Sequence, residues 1–182
     1  MEISNIFPIF ARYLFFIALN FSMSINKSYS TVQITTLVIL RFLIGWHILY
    51  EGIAKLFNSG WSSYGFLSES QWILSGFSQW IISDESILKI VDLLNIWGLI
   101  AIGIGLILGI FTRFASIAGA ILLFIYYLTN PPLVGLEYSI PMEGSYLIVN
   151  KTLIEAVALF VLAIFPAHRI IGLDALLFKL KK

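Results

Sequence analysis

Four apolar runs constrain the fold of this chain more than any other feature. Turn-forming residues separate these runs, which extend over about Gln33–Leu56, Leu93–Phe111, Phe114–Leu128 and Leu147–Phe165. A helix needs about 20 mostly apolar residues to cross a bilayer. Of the 182 residues, 59% are hydrophobic and only 12% are charged. The sequence therefore predicts an all-α integral membrane protein that folds as a four-helix bundle.

The first 32 residues do not fit this pattern. Residues 7 to 25 are apolar, but Pro8, Arg12 and Asn20 interrupt them. A secretory signal would start with basic residues and end in a small-residue cleavage motif, so we favour a retained interfacial segment over a signal sequence or a fifth span. We divide the chain into an N-terminal interfacial segment, residues 1–32, and a four-helix transmembrane domain, residues 33–182.

The distribution of Lys and Arg predicts how the bundle is oriented. Most basic residues near the helix ends fall on one side of the membrane, among them Arg12, Arg113 and Arg169. Because cytoplasmic loops carry an excess of Lys and Arg, we expect both termini in the cytoplasm and the protein in a bacterial inner membrane. The two longer connections, Phe57–Asp92 and Thr129–Tyr146, then face outward.

The first long connection is expected to lie on the outer membrane surface. It contains aromatic residues typical of the membrane–water boundary, namely Trp61, Tyr64, Trp72 and Trp80. The sequence Ser68-Glu69-Ser70-Gln71 matches a capping box with Ser68 as the cap. The interfacial helix that follows would align Ile73, Phe77, Trp80 and Ile81 on one face. A plain connecting loop with aromatic anchors is the alternative.

Polar side chains interrupt the outer half of the first predicted helix. His47, Glu51 and Lys55 recur every four residues and therefore share one face. An ionised group inside a bilayer costs roughly 2.5–3.5 kcal/mol on insertion scales, so intramembrane charges predict a functional site.

The fourth predicted helix brings a second polar group to the same depth, with Asn150, Lys151 and Glu155 at its outer end. Asp92 and Asn95 are expected to open the second helix on that side. Cross-helix ion pairs such as Glu51–Lys151 or Lys55–Glu155 would fit, and the sequence does not choose between them. The alternative is that these groups only hold the helices together, since polar contacts contribute roughly 0.6 kcal/mol to helix association in lipid.

Several other kinds of site are disfavoured. A metal site is not expected, because the other histidine, His168, lies at the cytoplasmic end. The chain has no cysteine, which excludes thiolate-bound iron–sulfur clusters and cysteine-linked heme. Small residues on the second helix predict close helix packing instead of nucleotide binding: Gly98, Ala101, Gly105 and Gly109.

Two blocks of the sequence resemble the DoxX/DoxD family of small membrane proteins. The first is Arg41-Phe-Leu-Ile-Gly45-Trp-His47 with Tyr50-Glu51-Gly52-x-x-Lys55-Leu, and it is followed by Asn130-Pro131-Pro132. The second is Glu143-Gly-x-Tyr-x-x-Val-Asn150-Lys151-x-Leu-Ile-Glu155, with Gly172-Leu173-Asp174 after it. The resemblance covers most of the chain after residue 33 and implies a four-helix bundle. The DoxD-like subunit is associated with thiosulfate:quinone oxidoreductase, which passes electrons from thiosulfate to a membrane quinone.

The resemblance leads us to expect a subunit of a quinone-linked membrane oxidoreductase. The candidate catalytic residues are His47, Glu51 and Glu155, because quinone reduction consumes protons and burial can tune such groups toward neutral pH. The candidate substrate-binding residues are Lys55, Lys151, Asn150 and Glu143. An apolar slot for a ring could come from Trp97, Phe124, Tyr126 and Tyr127.

We expect no covalently bound cofactor, and a diffusible quinone is the cofactor candidate. The expected partners are the lipid bilayer and either other subunits of a membrane complex or further copies of this chain. Nucleic acid is not expected, because the net charge is only +1. A non-catalytic bundle that anchors or stabilises a partner is the alternative function, and a small proton-coupled carrier is the weakest.

Overall fold

The computed structural model describes residues 29–139, 147–165 and 172–174, and all structural statements below concern these residues. They form helices and no strand: α1 (Thr31–Phe57), α2 (Tyr64–Ser68), α3 (Ser75–Ile82), α4 (Glu85–Leu108), α5 (Thr112–Thr129) and α6 (Lys151–Ile164). Contacts divide the chain into Met1–Ser30 and Thr31–Lys182, and the fold described here is that of the second unit. The predicted all-α class is confirmed.

Three of the described helices are long and apolar enough to cross a bilayer. Helices α1, α4 and α5 have 27, 24 and 18 residues, with mean hydropathies of 1.7, 2.2 and 1.5. Large apolar side chains such as Phe42, Trp97 and Phe114 lie exposed on their surfaces. Exposed apolar area on this scale is typical of lipid-facing helices and not of water-facing ones. The protein is therefore an integral membrane protein whose apolar helices contact lipid.

A fourth helix completes the packing around the core. Helix α6 has 14 residues and a length of about 21 Å, shorter than the roughly 30 Å hydrocarbon core. It packs against α5 and contacts α1, while α4 packs against both α1 and α5. The core between these helices includes Ile48, Leu106 and Leu159. Four helices thus surround one core, and three of them reach the length of a full crossing.

Helices α4 and α6 begin at different residues from those predicted. Helix α4 begins at Glu85 instead of Leu93, because the carboxylate of Asp84 caps it by accepting from the N–H groups of Ser86 (2.7 Å) and Ile87 (3.3 Å). Asp92 and Asn95 therefore lie inside α4 and do not open it. Helix α6 begins at Lys151 instead of Leu147, because Asn150 caps it: its side-chain oxygen accepts from the N–H of Leu153 at 2.9 Å.

The capping box predicted at Ser68 does not form. Ser68 ends α2, and its hydroxyl donates to the carbonyl of Gly65 at 3.0 Å. The carboxylate of Glu69 accepts from the N–H of Ser139 at 3.0 Å and so joins the two long connections. The prediction from local spacing is wrong because Gln71, which would close the box, donates its side-chain amide to the carbonyl of Glu137 at 2.6 Å in the other long connection.

A helix is present at the predicted place in the first long connection, as α3, but its exposed face differs from the predicted one, and its position on the membrane surface stays a prediction. Phe77 and Trp80 are each 55% exposed and stack with their ring centroids 5.7 Å apart. Ile81 is only 4% exposed. Since Ile81 turns into the protein, the apolar face available to the membrane consists of Phe77 and Trp80, with Ile73 preceding the helix.

Glycines allow α1 and α4 to approach each other closely. A Cβ at Gly103 would lie 2.6 Å from the Cβ of Leu49, and a Cβ at Gly52 would lie 2.8 Å from the Cγ1 of Ile100. Gly98, predicted to take part in close packing, faces open space. The prediction is wrong for Gly98 because Gly103 lies about 140° away from it around the helix, on the face that meets α1.

We expect Gly103→Ala to lower the free energy of unfolding by about 1–3 kcal/mol. The added methyl group would meet the backbone of Leu49, which cannot move without separating the two helices. Gly98→Ala is the matched control on the same helix and should be neutral or stabilising by up to about 1 kcal/mol. Unfolding by SDS titration in mixed micelles, followed by circular dichroism, measures both. Equal stability of the two variants would contradict the close contact.

Candidate functional site

The polar residues of α1 line two adjoining cavities at one end of the bundle. At this end, which we call the site end, α1 and α5 end while α4 and α6 begin. The first cavity, of about 180 Å³, is lined by polar residues of three helices: His47, Glu51, Lys55, Tyr126, Lys151, Thr152 and Glu155. The second, of about 270 Å³, is lined by Glu51, Lys55, Trp61, Ser62, Ser63, Phe66, Asn95 and Tyr126. Glu51, Lys55 and Tyr126 line both cavities.

A histidine–carboxylate pair connects α1 to α6 in the first cavity. The Nδ1 of His47 lies 2.8 Å from the Oε1 of Glu155. The Glu155 side chain is only 11% exposed, whereas that of His47 is 43% exposed. An ionised Glu155 would fix the proton on Nδ1 and leave Nε2 as the second nitrogen that can exchange a proton. This pair, which we call the dyad, can hold a proton beside the cavity.

Among the described residues, Lys55 contacts two aromatic rings and a side-chain amide and forms no ion pair. Its Nζ donates to the Oδ1 of Asn95 at 3.2 Å and lies 5.0 Å from the ring centroid of Trp61 and 5.6 Å from that of Tyr126. The Nδ2 of Asn95 in turn donates to the hydroxyl of Tyr126. Cation–π contacts stabilise such an ammonium by about 0.5–2 kcal/mol. An ammonium has three N–H donors, and among the described residues Asn95 accepts one of them, so the others can donate to a ligand.

Glu51 stands between the two cavities. It lies one helical turn from both His47 and Lys55, and it interacts with Lys55 through its charge. Within the described ranges, the Glu51 carboxylate has no hydrogen bond and no ion pair at contact distance. Of the two suggested cross-helix pairs, Lys55–Glu155 does not form, because His47 contacts Glu155 and Lys55 donates to Asn95. Glu51 and Lys151 both line the first cavity but are not within ion-pair distance of each other.

The remaining predicted binding residues are less closely gathered. Lys151 lines the first cavity. Asn150 lines neither cavity, and its side-chain oxygen is used to cap α6. Glu143, a predicted binding residue, lies outside the described residues, as do most of the N-terminal segment and Arg169.

Of the predicted aromatic slot, Tyr126 lines these two cavities, whereas Trp97, Phe124 and Tyr127 line neither of them. Tyr127 donates its hydroxyl to the carbonyl of Ile148 at 2.8 Å and stacks with Phe124, and Trp97 faces outward with 54% of its surface exposed. The walls come instead from the first long connection, through Trp61 and Phe66. Asn58-Ser59-Gly60, a turn-forming sequence directly after α1, is the signal that could have indicated this return of the chain.

Arg41 and Asp174, both part of the resemblance, lie at the opposite end of the bundle. Each is buried, and their charges interact. The Asp174 carboxylate accepts from the N–H groups of Phe111 (2.9 Å) and Thr112 (3.0 Å), while its own N–H donates to the carbonyl of Gly109 at 2.8 Å. These residues therefore hold the start of α5 in place and are remote from both cavities.

Comparison with known proteins gives one match. A protein-family model described as DoxX matches residues 36–130, which is 95 of the 182 residues. The matched region includes His47, Glu51 and Lys55 of α1 and the whole of α4 and α5. It ends before α6. No curated protein and no solved structure matches the chain. In the described part of the chain, no group of three or more His, Asp or Glu side chains is arranged to hold a metal ion.

Proposed function

The chain belongs to the DoxX family, and from this premise we propose that it is a DoxD-like subunit of a quinone-linked membrane oxidoreductase. In this proposal thiosulfate supplies the electrons and a membrane quinone accepts them. The site end faces away from the cytoplasm of a bacterial inner membrane, with both termini on the cytoplasmic side. The proposal depends above all on one observation. Lys55, which lies among aromatic rings, and the dyad of His47 and Glu155 line two adjoining cavities within a membrane bundle.

The chemistry of quinone reduction fits these groups. Two electrons and two protons convert a quinone to a quinol, and negative charge develops on the carbonyl oxygens as electrons arrive. The N–H groups of Lys55 can stabilise that charge. The His47–Glu155 dyad can supply protons, with Glu51 between it and the second cavity. Lys151 adds positive charge that favours an anionic electron donor.

The size of the cavities limits the ligand. Volumes of about 180 and 270 Å³ lie below the roughly 300–1,000 Å³ of pockets that enclose drug-sized ligands. Each cavity therefore suits a single small ring system or a small anion. A quinone would place its ring at the site and leave its hydrophobic tail in the lipid.

We expect Lys55→Met to weaken binding of a tail-less quinone such as menadione by about 10- to 100-fold. Methionine keeps most of the apolar stem but removes the charged donors, whose hydrogen bonds are worth about 1.5–3 kcal/mol. Isothermal titration calorimetry of the protein in nanodiscs measures the affinity. Lys89→Met is the matched control, because Lys89 is exposed and pairs only with Glu85 at 2.7 Å among the described residues. A wild-type protein that binds no quinone, or a Lys55→Met variant that binds normally, would refute the proposal.

A further inference from the structure

A short segment after α1 folds back over Lys55. We call residues 58–63 the strap. The N–H of Asn58 donates to the carbonyl of Lys55 at 3.2 Å, and the N–H of Trp61 donates to the carbonyl of Asn58 at 2.9 Å. These bonds reverse the chain within one turn. As a result the indole of Trp61 lies over the ammonium six residues before it.

One carboxylate of α4 fixes the far end of the strap. The Oδ1 of Asp92 accepts both the backbone N–H of Ser63, at 2.8 Å, and the hydroxyl of Ser63. Ser63 is buried and directly precedes α2, and its hydroxyl makes no capping bond to that helix. Asp92 therefore determines where the strap ends and where α2, which carries Phe66, begins.

The strap and α2 supply the aromatic walls of the second cavity. Trp61 and Phe66 line it together with Tyr126, and the rings of Phe66 and Tyr126 meet edge to face with centroids 5.7 Å apart. Lys55 and Asn95 add the polar groups. Among the described residues, Tyr126 is the one Trp, Tyr or Phe residue that lines the first cavity. Ionisable side chains provide much of the rest of its lining. A flat ring that carries a carbonyl oxygen matches the second cavity better than the first. Aromatic side chains of the second cavity can pack against the ring, and Lys55 can donate a hydrogen bond to the oxygen.

We propose that the second cavity holds the quinone ring and that Asp92 is the positioning residue that keeps Trp61 and Phe66 in place as its walls. This rests on the proposed function and assigns its two halves: the second cavity binds the ring, and the dyad in the first supplies protons through the carboxylate of Glu51, which both cavities share. Asp92 itself is outside the lining of both cavities and acts through Ser63.

Asp92→Ala should raise the KM for menadione in thiosulfate-dependent reduction by about tenfold, the scale of one lost aromatic contact, with kcat near the wild-type value. Asp92→Asn keeps an Oδ1 acceptor for Ser63 and should stay within about threefold of wild type. Glu85→Ala, at an exposed position of the same helix, is the control. A merely structural role of Asp92 would lower folded yield and kcat together and would not be rescued by asparagine, and that result would overturn the assignment of Asp92.

Trp61→Leu tests the ring site even if Asp92→Ala does not fold. It removes the indole wall and leaves the bond between Asp92 and Ser63 intact, so menadione affinity measured by calorimetry should fall about tenfold. If Trp61→Leu binds menadione as tightly as wild type while Lys55→Met binds it weakly, the ring lies in the first cavity: the inference is then overturned and the proposed function stands. Wild-type protein that binds no menadione overturns both.

Discussion

Glu155→Gln should slow thiosulfate-dependent quinone reduction by about 100-fold while the folded yield stays close to that of wild type. General acid–base catalysis contributes roughly 10²–10⁴ to a rate, and glutamine cannot hold a proton. Its side-chain oxygen can still accept from the Nδ1 of His47, which lies 2.8 Å from Glu155 in the dyad. The change therefore removes proton transfer and preserves the contact between α1 and α6. The initial rate of quinol formation in nanodiscs measures the effect.

Glu85→Gln is the matched control for this experiment. Glu85 is an exposed carboxylate that pairs with Lys89, so neutralising it should leave the rate unchanged. A dyad that only stabilises the bundle gives the opposite pattern, with a lower folded yield of Glu155→Gln and a normal rate per folded molecule. That result would support the non-catalytic alternative and remove Glu155 from the proton pathway.

Asp174→Ala should lower the free energy of unfolding by about 3–5 kcal/mol, because it leaves two backbone N–H groups without their acceptor and removes a carboxylate whose charge acts on the buried Arg41. Asp174 is 7% exposed and Arg41 is 5% exposed. Alanine takes away the acceptor of the first two N–H groups at the start of α5 and also the carboxylate that offsets the Arg41 charge. The remaining guanidinium is then buried without that counter-charge. SDS-induced unfolding in mixed micelles measures the loss.

Asp84→Ala separates the two contributions. Asp84 also accepts from two N–H groups at a helix start, but it is exposed and has no buried arginine beside it, so its removal should cost only about 0.5–2 kcal/mol. The double variant Arg41→Met with Asp174→Ala should be more stable than the sum of the single changes predicts, because it also removes the buried charge on which the Asp174 carboxylate acts. Equal costs for Asp174→Ala and Asp84→Ala would contradict this role of the Arg41–Asp174 interaction.

Local sequence was sufficient for the presence of the long helices and for the polar stripe of α1, but not for where α4 and α6 begin. Apolar runs predicted α1, α4 and α5. Asn130-Pro131-Pro132 directly follows the end of α5 at Thr129, which fits the physics of proline, since it has no amide to donate and disfavours a helical residue before it. The spacing of four residues between His47, Glu51 and Lys55 predicted that they share one face of α1. This prediction is confirmed, because all three line the first cavity. The catalytic and binding roles of these residues stay predictions.

The partners of the polar residues could not be predicted in this way. The sequence allowed Lys55–Glu155 as an ion pair, but Glu155 contacts His47, which lies about two helical turns before Lys55 in α1. Which residue of α6 faces which residue of α1 depends on how far the helices slide and rotate against each other. That is set by packing, such as the packing of Ile48 of α1 and Leu159 of α6 in the shared core, and not by the spacing within either helix.

The sequence by itself thus determined that this is a membrane protein with charges on one face of its first helix, because hydrophobicity and helical periodicity are properties of a single segment. Only the tertiary structure decided that His47 pairs with Glu155, that Trp61 covers Lys55 and that Asp92 holds the strap. Each of these contacts joins residues of different segments, and their distances follow from the packed backbone as a whole.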